Sequence, residues 1–164
     1  MSATAAKRRA ATALLLAAAL GGTVTGAASG SGGTAASRCP VSKPTARPRP
    51  HFNLGTSRIA VALPPHATFV AVPEGQPGGA FRQANGWIRT KVGWWAASGA
   101  PRVTGRRIDG PARPLRADVG PLSHAVPGGD FYPSYLFFPS GGCWRLTAVS
   151  GAARLAAVVR VVEP

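Results

Sequence analysis

Acidic side chains are scarce. The 164 residues hold five, Glu74, Asp109, Asp118, Asp130 and Glu163, against nineteen lysines and arginines. A two-carboxylate hydrolase needs a pair of them across one bond. With so many cations nearby, Asp109 and Asp118 read instead as partners for surrounding arginines, and Asp109 also as a brace for the Asp109-Gly110-Pro111 turn. Histidine is limited to His51, His66 and His124, none with another at i+2, i+3 or i+4, so a metal site would require the fold to gather all three. No G-x-S-x-G elbow is present, and Ser140 before Gly141 reads as turn chemistry. Gly78-Gly79 and Gly128-Gly129-Asp130 are too short to cradle a phosphate and precede no helical pattern. These gaps predict no catalytic residue, no metal and no cofactor, and a protein that is not an enzyme.

Cysteine is nearly missing too, with only Cys39 and Cys143. Their context comes from the start of the chain. Lys7, Arg8 and Arg9 precede an apolar run from Ala10 to Leu20, and Thr25-Gly26-Ala27-Ala28 supplies small residues for cleavage. This is the three-part pattern of a secretory signal over residues 1–28. The alternative is an uncleaved first helix that anchors an envelope component, but its strongly apolar part is short for a bilayer span. Arg8-Arg9 lacks the apolar residues that follow a twin-arginine signal. Arg38 stands where a lipid-attachment cysteine at position 39 would want a small residue. The protein is therefore expected outside the cytoplasm, secreted or envelope-associated, with no stable membrane insertion after cleavage. Two cysteines in an exported chain most simply form one bridge. Closing a loop of roughly a hundred residues would stabilise the fold by roughly 4–5 kcal/mol on chain entropy alone. Two free thiols are the competing reading.

The charge balance is +14. Removing Lys7, Arg8 and Arg9 leaves sixteen cations against five carboxylates, a formal +11. Such a balance predicts attraction to polyanions. The alternative is compositional, since arginine, alanine, glycine and proline run high together, as in GC-rich genomes.

Residues 29–51 read as an arm, Gly/Ser-rich and then Pro/Arg-rich, extended and without ladder hydrogen bonds. Residues 52–164 read as strands. Ser57–Leu63 and Thr68–Val72 flank Pro64-Pro65-His66 as a hairpin, and Ala80–Gln83 turns through Asn85-Gly86 into Trp87–Trp95. Within that strand Ile88, Thr90, Val92 and Trp94 share one face, and Trp87, Arg89, Lys91, Gly93 and Trp95 the other. Arg102–Ile108, Leu115–Val119 and Tyr135–Phe138 follow, with Gly120–Pro133 as the longest irregular stretch. The strongest signal closes the chain. Cys143–Val149 turns at Ser150-Gly151 into a return strand, with Trp144, Leu146, Ala148, Leu155, Ala157, Val159 and Val161 inward. Arg145, Arg160 and Cys143 then point outward. The bridge should therefore clamp the arm to the sheet exterior. About seven to nine short antiparallel strands and no helical period predict an all-β, immunoglobulin-like β-sandwich.

The dipeptide Cys39-Pro40, the pair Trp94-Trp95, GRRIDGPARPLRADV at 105–119 and FPSGGCWRLTAV at 138–149 together resemble a family of small secreted bacterial proteins of no established function. The resemblance covers most of residues 39 to 162, with Gly120–Pro133 as the departure. It implies an exported immunoglobulin-like domain with both cysteines as family features, and no activity.

The candidate ligand-binding residues are Trp87, Arg89, Lys91 and Trp95: aromatics to stack a ring, cations to meet charge. The competing reading has these tryptophans covering a sheet edge or packing against the arm. Tyr132 and Tyr135, either side of Pro133, are candidates for its rim. The expected partner is an anionic cell-wall polymer or glycan. Nucleic acid is disfavoured by the export signal and by the absence of any recognised module. One rival is a small enzyme with His124, Asp130 and Tyr132 gathered in a 120–133 loop.

Overall fold

Alternation dictates the layers. The computed structural model describes residues 39–45, 49–126 and 129–164, so the segment expected to be a signal and the Gly/Ser tether lie outside the described residues. Among the described residues eleven strands form: β1 Leu54–Gly55, β2 Ile59–Ala62, β3 Thr68–Pro73, β4 Ala80–Arg82, β5 Ile88–Ala96, β6 Arg102–Arg107, β7 Arg116–Val119, β8 Ser123–Val126, β9 Gly129–Phe138, β10 Gly142–Ser150 and β11 Ala153–Val162. In β5, Ile88, Thr90, Val92 and Trp94 are buried, and the residues between them are half-buried or exposed. In β10 and β11, Trp144, Leu146, Ala148, Ala157, Val159 and Val161 are buried, and Arg145 and Arg160 are exposed.

One layer is built on β5. β9 pairs along one of its edges, from Ile88↔Phe138 to Trp94↔Tyr132. The other edge is shared by β4 and β2. β7 and β8 follow in succession along the far edge of β9. The second layer is β6–β10–β11, all antiparallel. β3 belongs to both: Thr68–Val70 runs parallel to β11, and Ala71–Pro73 runs parallel to β4. The strand order is that of the immunoglobulin constant-type sandwich, with its first strand divided between the layers. The layers meet through Phe138 and Trp144, whose rings stand edge to face with centroids 5.4 Å apart, and through Phe69 against Phe138 at 6.0 Å. Trp94, Ile88, Leu136, Leu146 and Val61 complete the centre of the core. Its polar groups are satisfied: Trp94 Nε1 donates to Ser134 Oγ at 2.8 Å, and Ser134 Oγ donates to Val92 O at 3.0 Å.

The fold class is as expected, and five details differ. The strand count is higher, and two pairings are parallel rather than antiparallel. β2 and β3 form no hairpin. Proline φ is held near −65°, so Pro64-Pro65 cannot supply the two positive φ values of a tight hairpin turn. Instead His66 and Ala67 take φ of 55° and 47° in a short 3-10 turn, and the chain changes layer. The Asn85-Gly86 loop has three residues, Ala84 to Gly86, because Gln83 pairs with Trp87 and Gly86 at φ 82° fits the bulge. The closing turn is Gly151-Ala152, one residue later than expected, because Ser150 pairs with Ala153.

The segment 120–133, expected to be irregular, holds β8 and the first half of β9. Pro133 hid the strand, because a central strand seldom tolerates proline. Here its carbonyl accepts from Gly120 N at 2.8 Å. In an extended chain a residue's N and C=O face the same edge, so the missing N–H faces the β7–β8 connection. The ladder to β5 loses nothing.

The bridge Cys39–Cys143 forms with Cα atoms 5.4 Å apart. Cys143 does lie on the outer face of β10, yet it is only 1% exposed, because the arm covers it. The arm is not free of ladder bonds: Ser42 N donates to Val158 O, Val158 N donates to Ser42 Oγ, each at 2.8 Å, and Thr45 N donates to Asn53 O. Val41 packs against the core. The arm thus occupies part of the edge of β11 that β3 leaves open.

Candidate functional site

The four residues singled out in β5 share its outer face, but the fold divides them. Trp87 and Trp95 are eight residues apart on an extended strand, roughly 26 Å, too far to stack one ring. At one end Arg113 lies 5.5 Å from the Trp87 ring. At the other, Arg49 of the arm lies 3.3 Å over Trp95, so this tryptophan serves the arm. Arg89 and Lys91 come together in the middle. Both lie 5.6 Å from the ring of Tyr135, which sits opposite Lys91 on β9 and is 41% exposed.

β9 supplies what the β5 residues lack. Its outer face runs Phe131, Pro133, Tyr135, Phe137. The ring of Phe131 lies over Gly93, where an added Cβ would stand 3.4 Å from it. Tyr135 and Phe137 are tilted against each other at 6.4 Å. Arg116 of β7 covers Phe137 at 4.0 Å, leaving that ring 7% exposed. Tyr135 is therefore the most exposed ring of this face, with Arg89 and Lys91 beside it. Glu74 holds Arg89 at 3.0 Å and fixes one cation in place. Arg49, Arg113, Arg116, Phe131 and Phe137 went unread in the sequence. The alternation Phe131-x-Pro133-x-Tyr135-x-Phe137 carries the signal of the aromatic row, and Pro133 masks it, because a central strand seldom tolerates proline.

Tyr132 is a core residue rather than part of the rim. His124 Nδ1 and Asp130 Oδ1 are 2.6 Å apart across β8 and β9, on exposed side chains. Tyr132 is half-buried and packs against the core. Each of the other carboxylates has an arginine: Arg107 for Asp109, Arg116 for Asp118, Arg82 for Glu163. Among the described residues no group of three or more His, Cys, Asp or Glu could hold a metal, and no helix is long and apolar enough to cross a membrane.

The Asp109 pair sits in a built corner. Asp109 Oδ1 accepts from Arg107 Nε at 2.6 Å and Oδ2 from Cys143 N at 3.0 Å; Arg107 Nη1 donates to Ser140 Oγ at 3.3 Å. Burial pushes the Asp109 carboxyl up, but the Arg107 and Cys143 hydrogen bonds and the Arg107 charge outweigh it and hold it below its ordinary value. Gly142 makes room, since a Cβ there would stand 2.4 Å from Arg107 Nε. The stretches 105–119 and 138–149 thus meet at the disulfide, and their shared residues brace it.

No protein-family model, no curated protein and no solved structure matches the chain.

Proposed function

We propose that this is an exported binding module of the cell envelope, related to the small secreted proteins whose motifs it resembles, and that its ligand is an anionic, sugar-bearing polymer. One observation carries the reading: an exposed tyrosine ring flanked by two cations on the outer sheet face. A sugar ring stacks on Tyr135, and Arg89 and Lys91 meet the charge that the polymer carries. The formal +11 that remains without Lys7, Arg8 and Arg9 adds long-range attraction. Retention of residues 39–164 on purified cell-wall polymer tests this. Tyr135→Ala and Lys91→Ala should each weaken retention about tenfold, the scale of one lost stacking or charged contact. Trp95→Ala should leave it unchanged, because Arg49 covers that ring. Full retention by the Tyr135 and Lys91 variants would reject the face.

A further inference from the structure

The opposite layer presents a different surface. On the outer face of β6, β10 and β11, Arg106 stands directly opposite Arg145, Thr104 opposite Thr147, and Arg102 opposite Val149, itself opposite Arg154. Arg160 lies opposite Cys143. All five of these arginines are exposed. All five carboxylates of the chain lie elsewhere, four paired with other arginines and Asp130 with the His124 ring. Among the described residues this face carries no acidic side chain and no aromatic.

Like charges placed directly across a strand pair repel, and a nearby carboxylate is the ordinary remedy. Here there is none. The Arg106–Arg145 pair borders a depression of about 280 Å³ lined also by Thr104, Gly105, Pro114 and Thr147. Arg106, Arg145, Thr104 and Thr147 border it with their stems, and their two guanidinium forks and two hydroxyls can turn to a tetrahedral oxyanion on this exposed face, since the forks match its oxygens two at a time. The rows of side chains are spaced about 7 Å apart along the strands. A second arginine row therefore lies about 13 Å away, with Arg160 off the other end.

We propose that this face binds the phosphates of a phosphodiester polymer, with one phosphate seated between Arg106 and Arg145 and hydrogen-bonded by Thr104 and Thr147, and its neighbours met by Arg102, Arg154 and Arg160. The lack of any stacking ring favours a polymer without bases. The site is independent of Tyr135 and of the ligand proposed for the other layer.

The test uses residues 39–164 with the disulfide intact. Binding to poly(glycerol phosphate) is measured by calorimetry across a salt series, with polyglutamate, monomeric glycerol phosphate and single-stranded DNA as further probes. Arg106→Gln/Arg145→Gln should weaken poly(glycerol phosphate) binding at least tenfold, and Thr104→Val/Thr147→Val several-fold. Lys43→Gln/Arg58→Gln, which removes the same charge from exposed sites elsewhere, should change it less than twofold. Inorganic phosphate should raise the low-salt Tm of the parent and not of the Arg106/Arg145 variant. That variant should itself melt no lower than the parent in low salt, because the repulsion is gone. Monomeric glycerol phosphate should bind weakly and be lost in the same variant. An equal loss in both double variants, or equal binding of polyglutamate, would reduce the face to non-specific charge and overturn the proposal. Tighter binding to DNA would overturn the choice of a polymer without bases.

Discussion

Gly142 stands where several demands meet. Its φ of 129° is open to glycine and costly for other residues, and a Cβ would drive into Arg107 and Asp109. Gly142→Ala should cost about 2 kcal/mol or more in denaturant unfolding, from backbone strain and the displaced ion pair together. Asp109 offers a second check. Its carboxyl is held below the ordinary value of 3.8. A depressed folded-state value stabilises the fold above the unfolded value, and the gain is lost as pH falls through the folded one. Asp109→Asn should therefore destabilise by about 1–2 kcal/mol at neutral pH. The gap from the parent should close as pH drops below about 4. A gap that stays constant down to pH 2 would show that the charge contributes nothing.

β9 shows how an element can be concealed by one residue. Ser134, Leu136 and Phe138 are buried on its inner face, Phe137 is covered on its outer face by Arg116, and its pairing with β5 extends to Tyr132. Pro133 is tolerated because its nitrogen faces the gap between β7 and β8. Replacing it restores a donor where the ladder has no use for one. Pro133→Ala should shift stability by less than about 1 kcal/mol, mostly through the unfolded chain. A larger loss would mean that the ring itself, packed near Gly120, supports the β7–β8 connection. β3 shows the opposite case: its limits were readable from composition, but its partners were not, because two prolines turned an apparent hairpin into a change of layer.

The bridge joins residues 104 positions apart and holds the arm along β11. Cys39→Ser/Cys143→Ser should lower stability by up to about 4–5 kcal/mol. It should also expose the Ser42 and Val158 amides to exchange before the rest of the sheet opens, as hydrogen exchange would record. Reduction of the parent should reproduce both effects. The distribution of charge is also a property of the whole fold. Five carboxylates, all paired, leave one layer's outer face to arginines alone and the other to rings and cations.

Period-two alternation determined a great deal without any fold. The inward and outward faces of β5, β10 and β11 and the two buried tryptophans at 94 and 144 follow from side-chain polarity, and having only two thiols left one possible bridge within the chain. These are local or forced choices. Which strands become neighbours is neither, since every ladder offers the same backbone donors and acceptors, and partners are chosen by how two apolar faces close on one core. That choice set Tyr135 between Arg89 and Lys91, gave Trp95 to Arg49, sent Tyr132 inward, and placed Arg106 across from Arg145. Both candidate surfaces are therefore products of strand order, which alternation alone does not encode.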